Sequence, residues 1–587
     1  MARAMRAPLS GAPPAATLRS LSLILLSLLL ASAFCNPSLS STTNSLSKDT
    51  STSSLPPLSY QSLSSSTTST PNSLTSNTTS QHVRFRKCLS RSASTPIPTQ
   101  PPSASSISAP HQPIFILHPE TFDHVQASIK CAGAWNLQIR TRSGGHDYAS
   151  LSSISLSRKP FVVLDLAYLR EITLAHDRAH IAMWVHAGAT LGELYHSIEK
   201  LAPNHAFPAG LCPTVGVGGH ISGGGFGTLV RKFGLAADNV IDALIVDQKG
   251  RILNRETMGE DLFWAIRGGG AASFCVVVSW KLRLVPIPYR VTVFTIQKTP
   301  DQNAIPLVYK WQYIAHRLPE NLFIRVVMQR YVKKSRGKGK TGKNGPKTRI
   351  NAQKKRGDGV TVEFNSLYLG NCSELKRIMD QWFPELGFSQ ANGTEISWIQ
   401  SVLYFSGYKL GTSIKVLLDR KHVDHLSFKA KSDYLYRPIP EKGLRGIWKW
   451  LEKEEKAFAI IDPYGGKMEE IAEDETPFPH RAGSLYNIQY IVKWEGEGDE
   501  EKRKHEDWIT GLYKYMVEFV SEKPRAAYLN YRDLDLGVNG GSGDYEEARG
   551  WGEKYFKGKF RRLAMVKAAV DGEDFFWNEQ SIPVLKQ

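Results

Sequence analysis

Short apolar runs alternate with a stretch of helical periodicity along the first half of the chain, up to about residue 288. Residues 161–166, 181–185 and 241–247 are compact runs rich in aliphatic and β-branched residues, which is typical of buried strands. Residues 192–201 place their apolar positions at helical spacing instead. We therefore predict strands and helices in alternation for this part of the chain.

A second pattern begins near residue 289 and continues to about residue 521. Residues 361–369 and 485–494 are longer strand-like runs that mix apolar and polar positions, as in a half-buried sheet. Residues 375–382 predict a helix behind that sheet. The chain is long enough for more than one domain, so the change of pattern indicates a second unit.

The first 35 residues have the composition of a secretory signal. Arg3, Arg6 and Arg19 precede an apolar core at 21–30, and small residues that suit cleavage follow it. Because this core is too short for a comfortable membrane span, no membrane span is expected in the mature protein. An organellar transit peptide is the alternative, since the flanking sequence is rich in Arg and Ser and poor in acids.

Residues 36–110 are rich in Ser, Thr and Pro, and we predict that they are largely disordered. N-glycosylation sequons begin at Asn77, Asn371 and Asn392, and only an exported chain would use them. These features together predict a secreted glycoprotein.

The formal net charge of +18 is concentrated in two segments. Residues 333–356 contain eleven Lys and Arg and no acid, and residues 1–110 hold eight against the single acid Asp49. The rest of the chain is close to neutral, so a nucleic-acid partner is not expected. The segment at 333–356 is predicted to be a solvated loop that adsorbs weakly to polyanions in a salt-dependent way.

Candidate chemistry is concentrated in two glycine-rich strings. R-S-G-G-H-D-Y at 142–148 carries His146, and G-L-C-P-T-V-G-V-G-G-H at 210–220 carries Cys212. Glycine lets a backbone approach a ligand closely, and successive N–H groups in such turns form anion-binding nests. With a third run, R-G-G-G at 267–270, the pattern indicates a large phosphate-bearing cofactor. A buried packing role is the alternative for either side chain.

Two common kinds of site do not fit these strings. A zinc site needs Cys or His ligands at short spacing, and neither His146 nor Cys212 has such a neighbour, so no metal is predicted. A dinucleotide fingerprint needs G-x-G-x-x-G after a strand, and the run at 216–221 departs from it at the last position.

Further strings extend the series along the chain: A-G-A-T-L-G-E-L-Y at 187–195, P-F-P-H-R-A-G at 477–483, Y-L-N-Y-R-D-L-D-L-G at 528–537 and F-F-W-N-E-Q-S-I-P at 575–583. From about residue 113 onward, the chain resembles the plant berberine bridge enzyme-like flavoproteins of the vanillyl-alcohol oxidase/p-cresol methylhydroxylase superfamily. The resemblance implies FAD as the cofactor. It also implies an α+β fold, with a two-part FAD-binding domain of the p-cresol methylhydroxylase type and a substrate domain of antiparallel sheet backed by helices.

On this resemblance the FAD-binding domain spans residues 111–288, and the substrate domain spans 289–521. The segment at 522–587 returns to the FAD-binding domain. The resemblance further implies that the flavin is bonded twice, through its 8α-methyl group to His146 and through its C6 position to Cys212. The residues expected to bind FAD are His146, Cys212, Arg142, Ser143, Gly144, Gly145, Val215, Gly216, Gly218, Gly219, His220, Gly223, Gly224, Gly225 and Gly227.

Catalytic residues are expected on the substrate side of the flavin. In the resembled family the tyrosine of Y-L-N-Y-R, here Tyr531, is the base, and Tyr148 faces the same site. Strand alternation puts Asn487 and Gln489 on one face. Some relatives have a lysine at the first of these positions, where it favours a phenolate, and others have a glutamate base at the second. Because this chain has neither charge, Tyr531 remains the base, with Gln489 orienting the substrate hydroxyl and Arg532 or another cation assisting.

The predicted activity is transfer of a hydride from an alcohol or sugar carbon to the flavin N5 atom, with O2 as the acceptor. Val215 stands where a small valine accompanies oxidases in the resembled family. A dehydrogenase with another acceptor is one alternative, and a flavin-bearing cell-wall-binding protein with little catalysis is the other. The substrate is left open among oligosaccharides, monolignol-type alcohols and alkaloids, the last weakened by Gln489.

The resemblance pairs two of the cysteines, whereas the expectations for Cys275 and for the location come from the sequence itself. Cys88 and Cys131 are expected to form a disulfide, although the sequence between them departs from the family pattern. Cys275 is expected to be a buried free thiol. The predicted location is extracellular, at the cell wall, with the vacuole as the alternative.

Overall fold

The computed structural model describes residues 74–100, 112–157, 159–175, 177, 179–331, 359–421, 426–496, 498–540 and 543–586. The predicted signal at 1–35 and the basic segment at 333–356 lie outside the described residues. Within them, no helix has both the length and the apolar character that a membrane crossing requires.

The strands, in chain order, are β1 (Thr99–Gln100), β2 (Ile116–Leu117), β3 (Gln138–Arg142), β4 (Phe161–Asp165), β5 (Ile172–Ala175), β6 (Ala182–His186), β7 (His205–Ala206), β8 (Val240–Val246), β9 (Ile252–Leu253), β10 (Val276–Arg283), β11 (Val285–Pro286), β12 (Val291–Lys298), β13 (Leu322–Tyr331), β14 (Gly359–Tyr368), β15 (Thr394–Ile396), β16 (Ser427–Leu435), β17 (Ala457–Pro463) and β18 (Tyr486–Trp494).

The α-helices, in chain order, are α1 (Leu74–Ser92), α2 (Phe122–Ala134), α3 (Leu191–Leu201), α4 (Val217–Ser222), α5 (Val230–Phe233), α6 (Arg255–Met258), α7 (Glu260–Ile266), α8 (Ala304–Ile314), α9 (Cys372–Trp382), α10 (Trp398–Phe405), α11 (Glu441–Leu451), α12 (Lys467–Glu470), α13 (Asp499–Tyr515), α14 (Tyr545–Phe556) and α15 (Phe560–Val570).

The first sheet has the strand order β1-β2-β4-β3, and β4 runs parallel to both β2 and β3. Helix α2 makes the crossover from β2 to β3, as parallel strands require. Every residue of β4 is buried, which explains why the run at 161–166 is apolar on both faces.

The prediction of disorder for residues 36–110 is wrong for residues 74–100, which form α1 and β1. Phe85 and Leu89 are buried, and they lie four residues apart, on one face of α1. The expected disulfide between Cys88 and Cys131 is confirmed, and it fastens α1 to α2. The Ser-rich composition of the whole segment concealed this amphipathic helix.

The second sheet is antiparallel, in the order β5-β6-β10-β8-β9. It contains the strands predicted at 181–185 and 241–247, as β6 and β8. The predicted helix at 192–201 is α3, which begins at a capping box: the Thr190 side chain accepts from the Glu193 N–H, and Glu193 accepts from the Thr190 N–H.

The third sheet is antiparallel and has the order β15-β12-β14-β13-β17-β18-β16. The runs predicted at 361–369 and 485–494 form β14 and β18, and the helix predicted at 375–382 is the end of α9. Helices α8, α9, α11 and α13 contribute apolar side chains to one core with this sheet. The α+β prediction is thereby confirmed.

The two faces of this third sheet differ in polarity. Val326, Ile461 and Ile488 are register partners, and all lie in the core under the helices. Alternation directs the preceding or following residues to the other face. That face carries the partly exposed Arg325 and the buried polar residues Thr361, Glu363, Asn365, Gln329, Asp462, Asn487, Gln489 and Ser432.

The C-terminal residues pack against the first half of the chain. Trp551, Phe560 and Ile582 share one hydrophobic core with Val276 of β10. After the residues of the third sheet, the C-terminal segment thus packs again on the first half of the chain and lies between that half and the third sheet.

Candidate active site

A cavity of about 350 Å³ lies where the glycine strings, the third sheet and the C-terminal segment meet. Residues of the strings at 143–148 and 210–220 line one side of it. Arg325 and Gln489 reach it from the polar face of the third sheet, and residues 528–532 come from the C-terminal segment. A cavity of this size with a few converging polar groups is what a cofactor or substrate site requires.

The two glycine strings contact each other through their backbones. A Cβ atom on Gly144 would overlap the backbone nitrogen of Gly216, and one on Gly216 would overlap Gly144. The hydroxyl of Ser143 donates to the carbonyl of Ala187 at 2.5 Å, which fixes the first string on the second sheet. Glycine is required at both positions because any side chain would separate the strings.

Gly219 is different, since a Cβ atom there would meet nothing within 4 Å and would enter open space. Its neighbour His220 accepts a hydrogen bond from the Gly210 N–H at its Nε2 atom, at 2.9 Å. Burial lowers the pKa of His220 to about 4. The imidazole is therefore neutral at physiological pH, as its acceptor role requires.

His146 and Cys212 both line the cavity. The Nε2 atom of His146 lies 2.9 Å from the Oγ1 atom of Thr214, two residues after Cys212. His146 and the string that carries Cys212 are therefore in contact at the cavity wall.

The structure brings most of the predicted FAD-binding residues to the cavity: His146, Cys212, Ser143, Gly144, Gly145, Val215, Gly216, Gly218, Gly219, His220 and Gly223. Among the described residues, Arg142, Gly224, Gly225 and Gly227 are not part of the lining.

Three of these residues hold the strings in place from outside the cavity. Arg142 turns away and pairs with Asp165, with its Nη2 atom 2.7 Å from the carboxylate. The Gly225 N–H donates to the Tyr528 hydroxyl at 2.9 Å, and Gly227 leaves no room for a Cβ beside the carbonyl of Ala209.

Tyr531, Tyr148 and Gln489 meet in the cavity as predicted. The two tyrosine rings are stacked, with centroids 5.8 Å apart and an interplanar angle of 6°. The Gln489 Nε2 atom donates to the Tyr148 hydroxyl at 2.9 Å. The three residues come from a glycine string, a strand and the C-terminal segment, so their meeting depends on the tertiary fold.

Burial dominates the protonation of both tyrosines. It raises the pKa of Tyr148 to about 12, although the hydrogen bond from Gln489 opposes the rise. Burial also raises the pKa of Tyr531 well above its ordinary value, as do Tyr148 and Asp462, whereas the charge of Arg325 lowers it. Both phenols are protonated at neutral pH.

Sequence reasoning missed the ion pair between Arg325 and Asp462. The Arg325 Nε and Nη2 atoms donate to the two carboxylate oxygens of Asp462 at 2.6 and 2.9 Å. Arg325 lines the cavity, and the Asp462 side chain is 1% exposed. The available signal was an arginine in the middle of a strand whose neighbours are apolar, at a position that alternation assigns to the sheet's polar face.

Asn487 lies directly opposite Asp462 in the sheet register. Its Nδ2 atom donates to the carbonyl of Asp433 at 3.1 Å, so this amide nitrogen is hydrogen-bonded within the sheet. Arg532 lines the cavity, and its Nη1 atom donates to the carbonyl of Gln580. The positive charge that lowers the pKa of Tyr531 is that of Arg325, on a strand far from both positions in sequence.

The residues of the cavity fit FAD. Gly219 leaves the space of a side chain open, and the glycine strings present their backbone to the cavity, as an anionic diphosphate requires. The polar groups of Tyr148, Gln489 and Tyr531 line the same cavity and would contact a substrate bound there.

Comparisons with known proteins agree with this fit. The family model described as FAD binding domain matches residues 113–255, and the model described as berberine and berberine like matches residues 527–583. The monolignol oxidoreductase AtBBE-like 13 of Arabidopsis thaliana is 47% identical over 472 residues, which are 80% of this chain and 84% of that protein.

Two further relatives carry other activities in their names. A tetrahydroberberine oxidase of Argemone mexicana is 44% identical over 531 residues, covering 87% of this chain and 93% of that protein. The solved structure of Phl p 4, a grass pollen allergen with glucose dehydrogenase activity, is 39% identical and has a TM-score of 0.77. The match covers 86% of this chain and all of the allergen chain. The chain therefore belongs to the berberine bridge enzyme-like family of FAD-linked oxidoreductases.

Proposed function

We propose that the protein is a secreted FAD-dependent oxidase that converts an alcohol or sugar hydroxyl carbon to a carbonyl and passes the electrons to O2. The observation that carries the proposal is the meeting of Tyr531, Tyr148 and Gln489 with the two glycine strings in one cavity. The substrate loses a hydride and a proton. When bound, the flavin accepts the hydride at N5 and delivers two electrons to O2, which leaves as hydrogen peroxide.

The phenolate form of Tyr531 takes the hydroxyl proton of the substrate. An alcohol carbon donates hydride readily only when its hydroxyl is losing its proton, so a base must lie beside it. Burial raises the pKa of Tyr531 and so keeps the phenolate a minor fraction at neutral pH, whereas Arg325 supplies the positive charge that favours it. Asp462 keeps the guanidinium of Arg325 in place through two hydrogen bonds.

Tyr148 and Gln489 orient the substrate. Because the Gln489 amide cannot take up a proton at neutral pH, it acts as a hydrogen-bond partner rather than as a base. Its hydrogen bond to the Tyr148 hydroxyl leaves the amide oxygen to accept from a substrate hydroxyl. The stacked rings of Tyr148 and Tyr531 make one wall of the substrate position.

The flavin is attached through His146 and Cys212 in this proposal, since both side chains line the cavity beside the glycine strings. Acid precipitation tests the attachment. We expect the flavin of the wild-type protein to stay with the pellet. It should also stay with the pellet in His146→Ala and in Cys212→Ala, because each variant keeps one of the two bonds. Only the double variant should release it.

Peptide mass spectrometry tests the bond to Cys212 directly. A flavin-bearing peptide that includes residue 212 supports the thioether, whereas a flavin-free peptide at that position excludes it. Release of most of the flavin from the wild-type protein on acid precipitation would contradict covalent attachment altogether.

O2 is proposed as the acceptor because Val215, at the cavity wall, is small. Among the structural relatives, wild-type Phl p 4.0202 is a glucose dehydrogenase, and a variant with one isoleucine replaced by valine is a glucose oxidase. One methylene can thus separate an oxidase from a dehydrogenase in this fold. Peroxide produced in equal amount to the substrate oxidised is the expected result, and its absence in air would favour a dehydrogenase.

The relatives' names do not select a substrate, because a monolignol oxidoreductase, a tetrahydroberberine oxidase and a glucose dehydrogenase have comparable identity to this chain. The deciding experiment is to mix the purified protein anaerobically with oligosaccharides, cinnamyl-type alcohols and an alkaloid, and to follow flavin absorbance. Bleaching by an alcohol or a sugar is the expected result. If only the alkaloid bleaches the flavin, the substrate is not an alcohol or a sugar, and the role of Gln489 in orienting a substrate hydroxyl is contradicted.

The location at the cell wall is part of the same proposal, supported by the signal-like N-terminus and the basic segment at 333–356. A flavin-bearing wall-binding protein without catalysis is the competing interpretation. Salt-sensitive binding to a pectin-like polyacid without bleaching by any substrate would favour that interpretation, and bleaching would exclude it.

A further inference from the structure

Four charges meet where strand β16, at the edge of the third sheet, contacts the C-terminal segment. The Lys431 Nζ atom lies 2.7 Å from a carboxylate oxygen of Asp533 and 2.6 Å from one of Asp535. The Lys429 Nζ atom lies 3.2 Å from Asp533 and 3.0 Å from Asp535. Each lysine therefore bridges both carboxylates, and we call the four residues the edge cluster.

Half of the edge cluster is buried. The side chains of Lys431 and Asp533 are each 3% exposed, whereas that of Asp535 is 50% exposed. Exposed ion pairs contribute little, but loss of one partner from a buried pair leaves an uncompensated charge and is costly. The buried Lys431–Asp533 pair therefore strongly constrains how the C-terminal segment packs against β16. An apolar pair could fill the same space, but it would not impose the same pairing of charges.

The constrained segment carries Tyr531, two residues before Asp533 in the chain. On the other side of Tyr531, the Tyr528 N–H donates to the hydroxyl of Ser432 in β16 at 3.0 Å. The Asp533 N–H donates in turn to the Tyr555 hydroxyl at 2.9 Å. Tyr531 is therefore held between two attachment points on the same strand.

The same strand is adjacent to the substrate side of the cavity. Ser432 is the register partner of Gln489 in β18, and Gln489 hydrogen-bonds Tyr148, on which Tyr531 stacks. A shift of the C-terminal segment along β16 would move Tyr531 relative to Gln489 and Arg325. A displacement of about 1 Å at a reacting group can cost about a hundredfold in rate.

We propose that the edge cluster is a positioning site that fixes Tyr531 over the substrate position. The inference rests on the proposed role of Tyr531 as the base. The cluster touches no reacting atom and acts through the placement of Tyr531 relative to the sheet.

The test uses the flavin-loaded full chain and anaerobic flavin reduction by whichever substrate bleaches it. In Lys431→Met we expect reduction to slow by about tenfold to a hundredfold at saturating substrate, with KM little changed. Lys431→Arg should restore most of the rate, because it restores the charge. Arg437→Met, which removes one partner of the exposed Arg437–Glu522 pair, is the matched control and should leave the rate unchanged.

Hydrogen exchange provides a readout independent of activity. Peptides covering residues 528–537 should exchange faster in Lys431→Met than in the wild type or in Arg437→Met. If Lys431→Met does not fold, Asp535→Asn replaces it, since this carboxylate is half exposed, and the same changes are expected at smaller size. Unchanged exchange and an unchanged rate in the variant that folds would overturn the proposal.

A double variant separates this inference from the proposed function. If the cluster acts through Tyr531, then Lys431→Met should add no further slowing to Tyr531→Phe. Equal slowing in both backgrounds would show that the cluster acts elsewhere and would overturn the inference alone. A wild-type reduction rate in Tyr531→Phe itself would overturn the assignment of the base, and the positioning role with it.

Discussion

The two sides of the cavity are built in different ways. The cofactor side consists of two glycine strings whose backbones touch at Gly144 and Gly216, and its shape depends on the absence of side chains. The substrate side consists of the side chains of Arg325, Gln489 and Tyr531, which separate elements bring together. The first side is formed by backbone atoms of two glycine-rich segments. The second is formed by side chains whose positions depend on how the strands of the sheet pair.

This difference predicts where change is tolerated. Replacing a glycine on the cofactor side adds atoms either where the two strings touch or in the open space of the cavity, so the expected consequence is loss of the cofactor. Replacing a side chain on the substrate side leaves the backbone surface intact, so the expected consequence is a change of chemistry with the flavin retained. Variants on each side of the cavity test whether the two sides differ in this way.

The largest effect is expected for Tyr531→Phe. Loss of the phenolic hydroxyl removes the proposed base, so flavin reduction should slow by at least about a hundredfold while the flavin remains bound. Anaerobic stopped-flow absorbance measures the rate, and the protein's own flavin spectrum measures the content. If the variant reduces at the wild-type rate, Tyr148 becomes the next candidate for the base.

On the cofactor side, Gly219→Val should lower flavin incorporation by about tenfold or more, because the valine would occupy open space in the cavity. Gly550→Val is the matched control, since a Cβ atom on Gly550 also meets nothing within 4 Å but lies on helix α14 outside the lining. Flavin absorbance per protein measures incorporation. Full incorporation in Gly219→Val would show that this open space is not part of the cofactor site.

An intermediate effect is expected for Arg325→Met, seen best as a pH dependence. Since the pKa of Tyr531 is raised well above its ordinary value, the phenolate fraction and the reduction rate should both climb with pH across the neutral and mildly alkaline range. Removing Arg325 removes the charge that opposes this rise, so the profile should move to higher pH. At neutral pH the rate should fall by about tenfold for each unit of added pKa.

Asp462→Asn should shift the pH profile of flavin reduction in the opposite direction. The Asp462 carboxylate raises the pKa of Tyr531, so its neutralisation should move the profile to lower pH. Arg325→Lys keeps the charge and should stay close to the wild type. Shifts in the same direction for Arg325→Met and Asp462→Asn would contradict an electrostatic role for the pair.

The sequence was informative where a local constraint selects the residue type. The apolar run at 161–166 became β4 because a parallel strand is buried on both faces, and the glycine strings were recognised because close backbone contact admits only glycine. The helical spacing at 192–201 became α3, and its capping box shows why the helix begins there.

The rest could not be predicted, because it depends on contacts between distant segments. Arg325 and Asp462 are separated by more than a hundred residues and become partners only through the pairing of β13 with β17. Helix α1 was missed because the apolar residues Phe85 and Leu89 stand in a Ser-rich segment whose average composition indicates disorder. In both cases the decisive information is which surface the side chain will meet.

The smallest effect is expected for Val215→Leu, which tests whether a side chain on the cofactor side can alter chemistry without loss of flavin. Val215 is partly buried and lines the cavity, and its carbonyl accepts from the Leu191 N–H at 2.9 Å, so its backbone is fixed. One added methylene would then extend into the cavity and hinder O2, slowing reoxidation of the reduced flavin several-fold while reduction by substrate stays unchanged. Stopped-flow mixing of reduced protein with aerated buffer measures this, and Val277→Leu, at another part of the cavity wall, controls for general crowding. Equal reoxidation rates in wild type and Val215→Leu would exclude Val215 as the determinant of oxygen reactivity, and slow reoxidation in both would make the protein a dehydrogenase.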